Sequence, residues 1–136
     1  SRVVQLGLRG TRFGTDDIQY GIDAGFTVIT YDDYEERGRA AVIEQIKEVL
    51  AGGPVYVTYD IDGLDPTEAP GTPAREPGGL SMRDSQVILR ALTGMPVVGG
   101  DVCEVAPSLD PTGLTAMNAS NLLFEIVCLV AAGIER

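Results

Sequence analysis

The 136-residue sequence predicts an α/β fold, a parallel sheet sandwiched between helices in three layers. Short β-branched runs alternate with helical patterns in the order βαβαβαβα, and the connections are long enough for crossover helices. The third strand-like run, Val55 to Ile61, ends in Asp60, Asp62 and Asp65 and opens into a long loop rich in proline and glycine. Parallel α/β sheets place their chemistry at the carboxyl ends of strands, where these acids stand.

The length allows one core, so the chain is a single domain or part of one. Apolar residues make up 44% of it, and no repeat or low-complexity stretch interrupts them. Ten Lys and Arg against 20 Asp and Glu give a formal net charge of −10. That field repels phosphate backbones, which argues against nucleic-acid binding and favours cations, although a plain solvated acidic surface is the better-supported reading of the charge. Cys103 and Cys128 form no CxxC pattern and have no histidine nearby, as in reduced core cysteines of a cytoplasmic protein. The longest apolar run, Ile126 to Ala132, falls far short of the ~20 residues a membrane helix needs, and no membrane partner is expected.

Taken in order, Val3 to Leu8 reads as a buried strand. The turn-like Arg9 to Asp16 follows, either a surface turn or part of a substrate-facing loop. Asp16 and Asp17 open a short helix that Gly25 closes, and Phe26 to Thr30 is the second strand. Between Arg39 and Ala51, Val42, Ile43, Ile46, Val49 and Leu50 share one helical face, and Gly52, Gly53 and Pro54 end the helix. Val55 to Ile61 is the third strand. Ser81 with Asp84 three residues on is a capping pattern, and Val87, Ile88, Ala91 and Leu92 supply the buried stripe of the next helix. Pro96 to Val105 is the fourth strand, in which Gly99 and Gly100 permit close backbone approach. After the turn DPTG, Leu114 to Ile134 forms a long helix, apolar nearly all round from Leu122, to be buried against a sheet or a neighbouring subunit.

Residues two apart on a strand share a face, so alternation puts Asp60 and Asp62 together. Two close carboxylates repel unless a cation lies between them, and hard divalent ions prefer oxygen ligands. Solvated strand-end acids or helix caps fit the pair as well. Asp65, followed by Pro66, is placed for an Asx-type turn. An EF-hand loop fails, because Leu64 and Gly71 stand where oxygen ligands belong. The DxDG string of magnesium-dependent haloacid-dehalogenase phosphatases is similar, but Leu64 departs from it and the strand comes too late in the chain.

The string TYDIDGLDP at Thr58 to Pro66, then APGT from Ala69 and EPGGL from Glu76, resembles the ureohydrolase superfamily of arginases and agmatinases. VQLGLRG from Val4, GGDVCEVAP from Gly99 and LTAMNASNLLFEIVC from Leu114 extend the resemblance over the chain, and GLRG with EPGGL is closer to the agmatinase type. The resemblance implies a cytoplasmic homo-oligomer, trimer or hexamer, in which a pair of manganese ions (Mn2+) clamps a hydroxide. The hydroxide attacks a small guanidino substrate such as agmatine, giving urea and an amine. It assigns Asp60 and Asp62 as metal ligands and Glu104 as the catalytic and substrate-binding carboxylate that grips the guanidinium. Asp101 would lie on the opposite face of a regular strand, as a structural hydrogen-bonder.

The family's other ligands come from GGDHS and DAHxD strings, and this chain has no histidine. With no initiating methionine either, residues 1–136 are expected to be the C-terminal portion of a single ureohydrolase domain, inactive alone. The alternative is a non-catalytic truncated homologue that keeps oligomerising surfaces. Pro73, Ala74 and Arg75 replace a central GTP of the family loop, which changes its backbone freedom. The resemblance also puts the DAHxD strand between the Val3 and Val55 strands. Without it the sheet should fall into two pairs with open edges, and the isolated chain should be poorly soluble or partner-dependent.

Overall fold

The computed structural model describes residues 1–136 except Arg12, Phe13, Thr15, Glu135 and Arg136, so part of the Arg9–Asp16 turn lies outside the described residues. The strands form two parallel pairs, the arrangement expected when no strand intervenes between them. The chain divides into two compact units, Ser1–Gly52 and Gly53–Arg136.

In the first unit, β1 (Val4–Leu8) pairs with β2 (Thr27–Thr30), and α1 (Asp17–Asp23) makes the crossover. The register shifts between Leu6 and Leu8, where Gly7 takes φ 93, a backbone state that glycine reaches at little steric cost. The sequence reading leaves Tyr31–Arg37 unassigned, yet it forms a helix, α2. A capping box starts it. Thr30 Oγ1 accepts the Asp33 amide proton at 3.1 Å, and the Asp33 carboxylate accepts the Thr30 amide at 3.0 Å. Then α3 (Arg39–Leu50) follows as the periodicity predicts, with Val42 and Ile46 buried, as are Ile29 and Tyr34 in the same unit.

In the second unit, β3 (Val55–Asp60) pairs with β4 (Val97–Cys103) across α4 (Met82–Arg90), and α5 (Leu114–Ile134) packs on β4 and α4. Ser81 caps α4 as its spacing predicts, accepting the Asp84 amide proton at 3.0 Å. The buried stripe of α4 is turned from the predicted one. Of the predicted stripe Leu92 is buried, joined by Ser85 and Leu89, while Val87, Ile88 and Ala91 are half-buried; the Tyr59 hydroxyl meets Ser85 Oγ at 2.6 Å on the buried face. Ile61, Leu64, Leu80, Leu122, Ile126 and Leu129 complete the core, each contributing roughly 1.5–3 kcal/mol by leaving water.

Gly100 sets how closely α5 approaches the sheet. A Cβ there would meet the Val57 carbonyl oxygen at 2.4 Å and Ile126 Cγ2 at 2.7 Å. The outer side of α5 is left open, with Met117, Leu123, Phe124, Val127 and Ile134 exposed. No unbroken apolar run in the sequence is long enough to cross a membrane, but the 21-residue helix as a whole is, by length and composition alone. Both cysteines are free thiols, and Cys128 is exposed rather than in the core, because it lies on this open side of α5.

Candidate active site

The site is built where β3 and β4 end side by side. Asp60 is the last residue of β3 and pairs with Cys103, the last of β4; Glu104 follows immediately. The Asp60 and Glu104 side chains are exposed, at neighbouring carboxyl ends of parallel strands. This is the edge on which such sheets carry ligands.

Alternation along a strand is not what brings Asp60 and Asp62 together. The strand stops at Asp60, and Ile61–Gly63 makes a single 3-10 turn. Asp60 starts that turn, its carboxylate accepting the Asp62 amide proton at 3.1 Å. The apolar side chain between them, Ile61, is fully buried and anchors the turn.

The fourth strand also ends earlier than its sequence suggests. Glu104 has φ 60, the only non-glycine positive φ among the described residues. A left-handed backbone at a residue with a Cβ costs roughly 1–2 kcal/mol, and such strain concentrates at functional sites. Its effect is to break the strand after Cys103, so regular alternation does not relate Asp101 to Glu104. Asp101 is nevertheless the hydrogen-bonder expected, accepting from the Tyr56 hydroxyl at 2.8 Å and from Thr58 Oγ1 at 2.9 Å. The bond to Asp101 raises the Tyr56 phenol above its ordinary pKa. Burial, with the Asp60 carboxylate next in effect, raises the Cys103 thiol.

Asp65 makes the Asx turn and does more. Its Oδ1 accepts the Thr67 amide at 2.9 Å and the Thr67 hydroxyl at 2.6 Å, while Oδ2 accepts the Gly78 and Gly79 amides at 2.9 and 3.3 Å. Those bonds, the Thr67 hydroxyl first, lower its pKa to about 2. The carboxylate thereby closes both ends of the loop, and the Leu80 amide bonds the Gly63 carbonyl at 3.0 Å beside it. Pro73, Ala74 and Arg75 lie exposed at the tip of this closed loop, where Arg75 Nε donates to the Thr72 carbonyl at 3.1 Å.

The sequence reading missed a second anchor of the same kind. Asp110, Pro111 and Thr112 repeat the tripeptide of Asp65, Pro66 and Thr67, and the bonds repeat too. Asp110 Oδ1 takes the Thr112 amide and hydroxyl at 3.0 and 2.5 Å, and Oδ2 takes the Thr115 amide at 2.7 Å at the start of α5. The Thr112 hydroxyl and the Thr115 amide hold its carboxyl well below the usual range. Thr115 Oγ1 in turn accepts the Gly71 amide at 2.7 Å, and Gly71 has no room for a Cβ against Asp110 and Thr115. The recurrence of the tripeptide was the available signal.

Asp60 and Asp62 offer oxygen donors suited to a hard divalent ion. Among the described residues no group of three His, Cys, Asp or Glu that could hold a metal ion assembles.

Residues 1–129 match the arginase family. This chain belongs to the arginase family. The match is spread over the chain: guanidinopropionase from Pseudomonas aeruginosa is 38% identical over 99% of it, and the mitochondrial agmatinase of Gallus gallus 39% identical over 96%. This arginase-family chain spans 42% and 38% of those two proteins, about two fifths of their length. In structure it is similar to the proclavaminate amidino hydrolase of Streptomyces clavuligerus, with a TM-score of 0.89 and 37% identity over 96% of this chain and 43% of that one. The arginase of Bacillus caldovelox matches at a TM-score of 0.82 and 28% identity, over 91% and 42% of the two chains. The arginase-like three-layer α/β/α class predicted from the sequence, present as a partial domain, is therefore the fold.

Proposed function

We propose that this chain forms, together with the histidine-bearing part of the family domain, an enzyme that hydrolyses a small guanidino compound to urea and an amine. The observation that carries the proposal is the placement of Asp60 and Glu104 at the ends of adjacent strands, in a chain whose relatives bear the names agmatinase, guanidinopropionase and guanidinobutyrase. Glu104 binds the substrate. A planar guanidinium presents forked N–H donors that match a carboxylate, and hydrogen bonds to charged groups contribute about 1.5–3 kcal/mol net. Asp60 and Asp62 would hold manganese with ligands from outside this chain. Two manganese ions held there would supply the acidification of a water near neutral pH. Asp60 and the 3-10 turn keep both carboxylates at the end of β3, and the loop closed by Asp65 borders them.

The reading extends to a cytoplasmic homo-oligomer of agmatinase type. It is tested in a protein joining this chain to the family's GGDHS and DAHxD segments. Asp60→Ala should abolish urea release from agmatine and guanidinobutyrate and lower bound manganese, whereas Glu104→Gln should cut turnover with metal content unchanged. Urea release that persists in Asp60→Ala refutes the assignment. A chain alone that binds manganese only weakly by calorimetry is expected, since two carboxylates make a poor cage.

The exposed apolar side of α5 favours a second reading, a non-catalytic chain that acts through association. Full-length protein that carries no metal and releases no urea would support it over the first.

A further inference from the structure

We propose that Asp101 is a positioning residue that locks the register of β3 against β4 and so sets Glu104 beside Asp60. The register is not settled by the rest of the strand. Val55 pairs with Val97, but Tyr56 pairs with Gly99, so Val98 is an extra residue on β4 and is exposed. Sliding the remainder of β4 by one residue would remove this bulge. Tyr56 would then face Val98, Thr58 would face Gly100, and Asp60 would face Val102. Glu104 would move about 3.3 Å along the strand relative to Asp60.

Gly-rich strands specify register weakly. Ile126 of α5 needs a residue without a Cβ beneath it, and Gly100 provides one. Gly99 would provide one equally after a slip, so the helix contact does not choose between the registers. Asp101 is the first residue that can. In the observed register it lies opposite Thr58 and accepts from Thr58 and Tyr56, two residues of the partner strand on one face. Tyr56 reaches it by lying across Gly99, whose Cβ would stand 3.2 Å from Tyr56 Cε2. After a slip the carboxylate would face α5 without these donors, at the cost of burying an unpaired charge. Asp101 thus favours one register and penalises the other.

The functional half rests on the reading that Asp60 and Glu104 serve one site. The register itself is measured without metal or substrate, so the two fail separately. In the isotopically labelled full chain, backbone nuclear Overhauser contacts should pair Thr58 with Asp101 in the wild type and in Asp101→Asn, which keeps an acceptor oxygen. Asp101→Val should shift that contact to Gly100. Wild-type pairing in Asp101→Val overturns the lock. Should Asp101→Val not fold, Tyr56→Phe/Thr58→Val decides. Amide exchange at Tyr59 and Cys103, whose N–H groups face the partner strand, should rise at least tenfold with α4 and α5 unchanged, and unchanged exchange at those amides overturns the proposal.

Discussion

Asp65 accepts four hydrogen bonds while half-buried, and the geometry predicts how the loop beside the site responds to acid. Its pKa is about 2 against an ordinary 3.8, so the folded state prefers the carboxylate. The stabilisation is fully present above about pH 4 and is lost as pH falls through about 2. Discounted for partial solvent contact, it is on the order of 1–2 kcal/mol. Asp65→Asn keeps an oxygen for Thr67 but turns an amide N–H toward the donors of Gly78 and Gly79. Denaturant unfolding at pH 7 should show a loss of about 1–2 kcal/mol, and the acid-dependent fall between pH 4 and 2 should shrink. An unchanged acid profile would show that another carboxylate closes the loop. The turn at Asp65 was legible from Asp-Pro alone, because that chemistry is local. The amides of Gly78 and Gly79 were not, because they arrive only when the loop closes. Glu104 shows the same limit. Its place at the end of the fourth strand was readable from the sequence, but the positive φ that ends β4 after Cys103 was not.

Among the elements, the helices defined by periodicity and caps were legible: α3 from its apolar face, α4 from Ser81 and Asp84. The Thr30–Asp33 box that starts α2 was equally local and was overlooked, since no apolar stripe drew attention to Tyr31–Arg37. What the sequence could not supply is which of two glycines bears the helix contact. Gly99 and Gly100 are adjacent and chemically identical, and only the register and α5 distinguish them. They should respond differently to a methyl group. Gly100→Ala pushes against the Val57 carbonyl oxygen, which cannot move without disturbing the ladder, and should destabilise the second unit by about 2–3 kcal/mol. Gly99→Ala meets only the edge of an exposed tyrosine and should cost about 1 kcal/mol or less. Thermal melts followed by circular dichroism rank the two. Equal effects would mean that α5 does not bear on β4 at Gly100.

At the scale of the molecule, pairing in twos leaves each strand, among the described residues, with no strand partner along one edge. The outer side of α5 adds an apolar stripe, with Phe124 at 64% and Val127 at 55% exposure. Folded chains seldom leave such a stripe in water, because burial of large apolar side chains is a main source of their stability. The chain should therefore associate with itself when no other partner is present. Sedimentation velocity over a hundredfold range of concentration should show mass rising with concentration. Phe124→Asp/Val127→Asp, which places charges on exposed positions of the stripe, should reduce it. If strand edges dominate instead, that double variant will associate as before and a lysine on the β3 edge will relieve it. A monomer that melts cooperatively at every concentration would show that neither surface needs a partner, and would also remove the support for the associative reading of this chain.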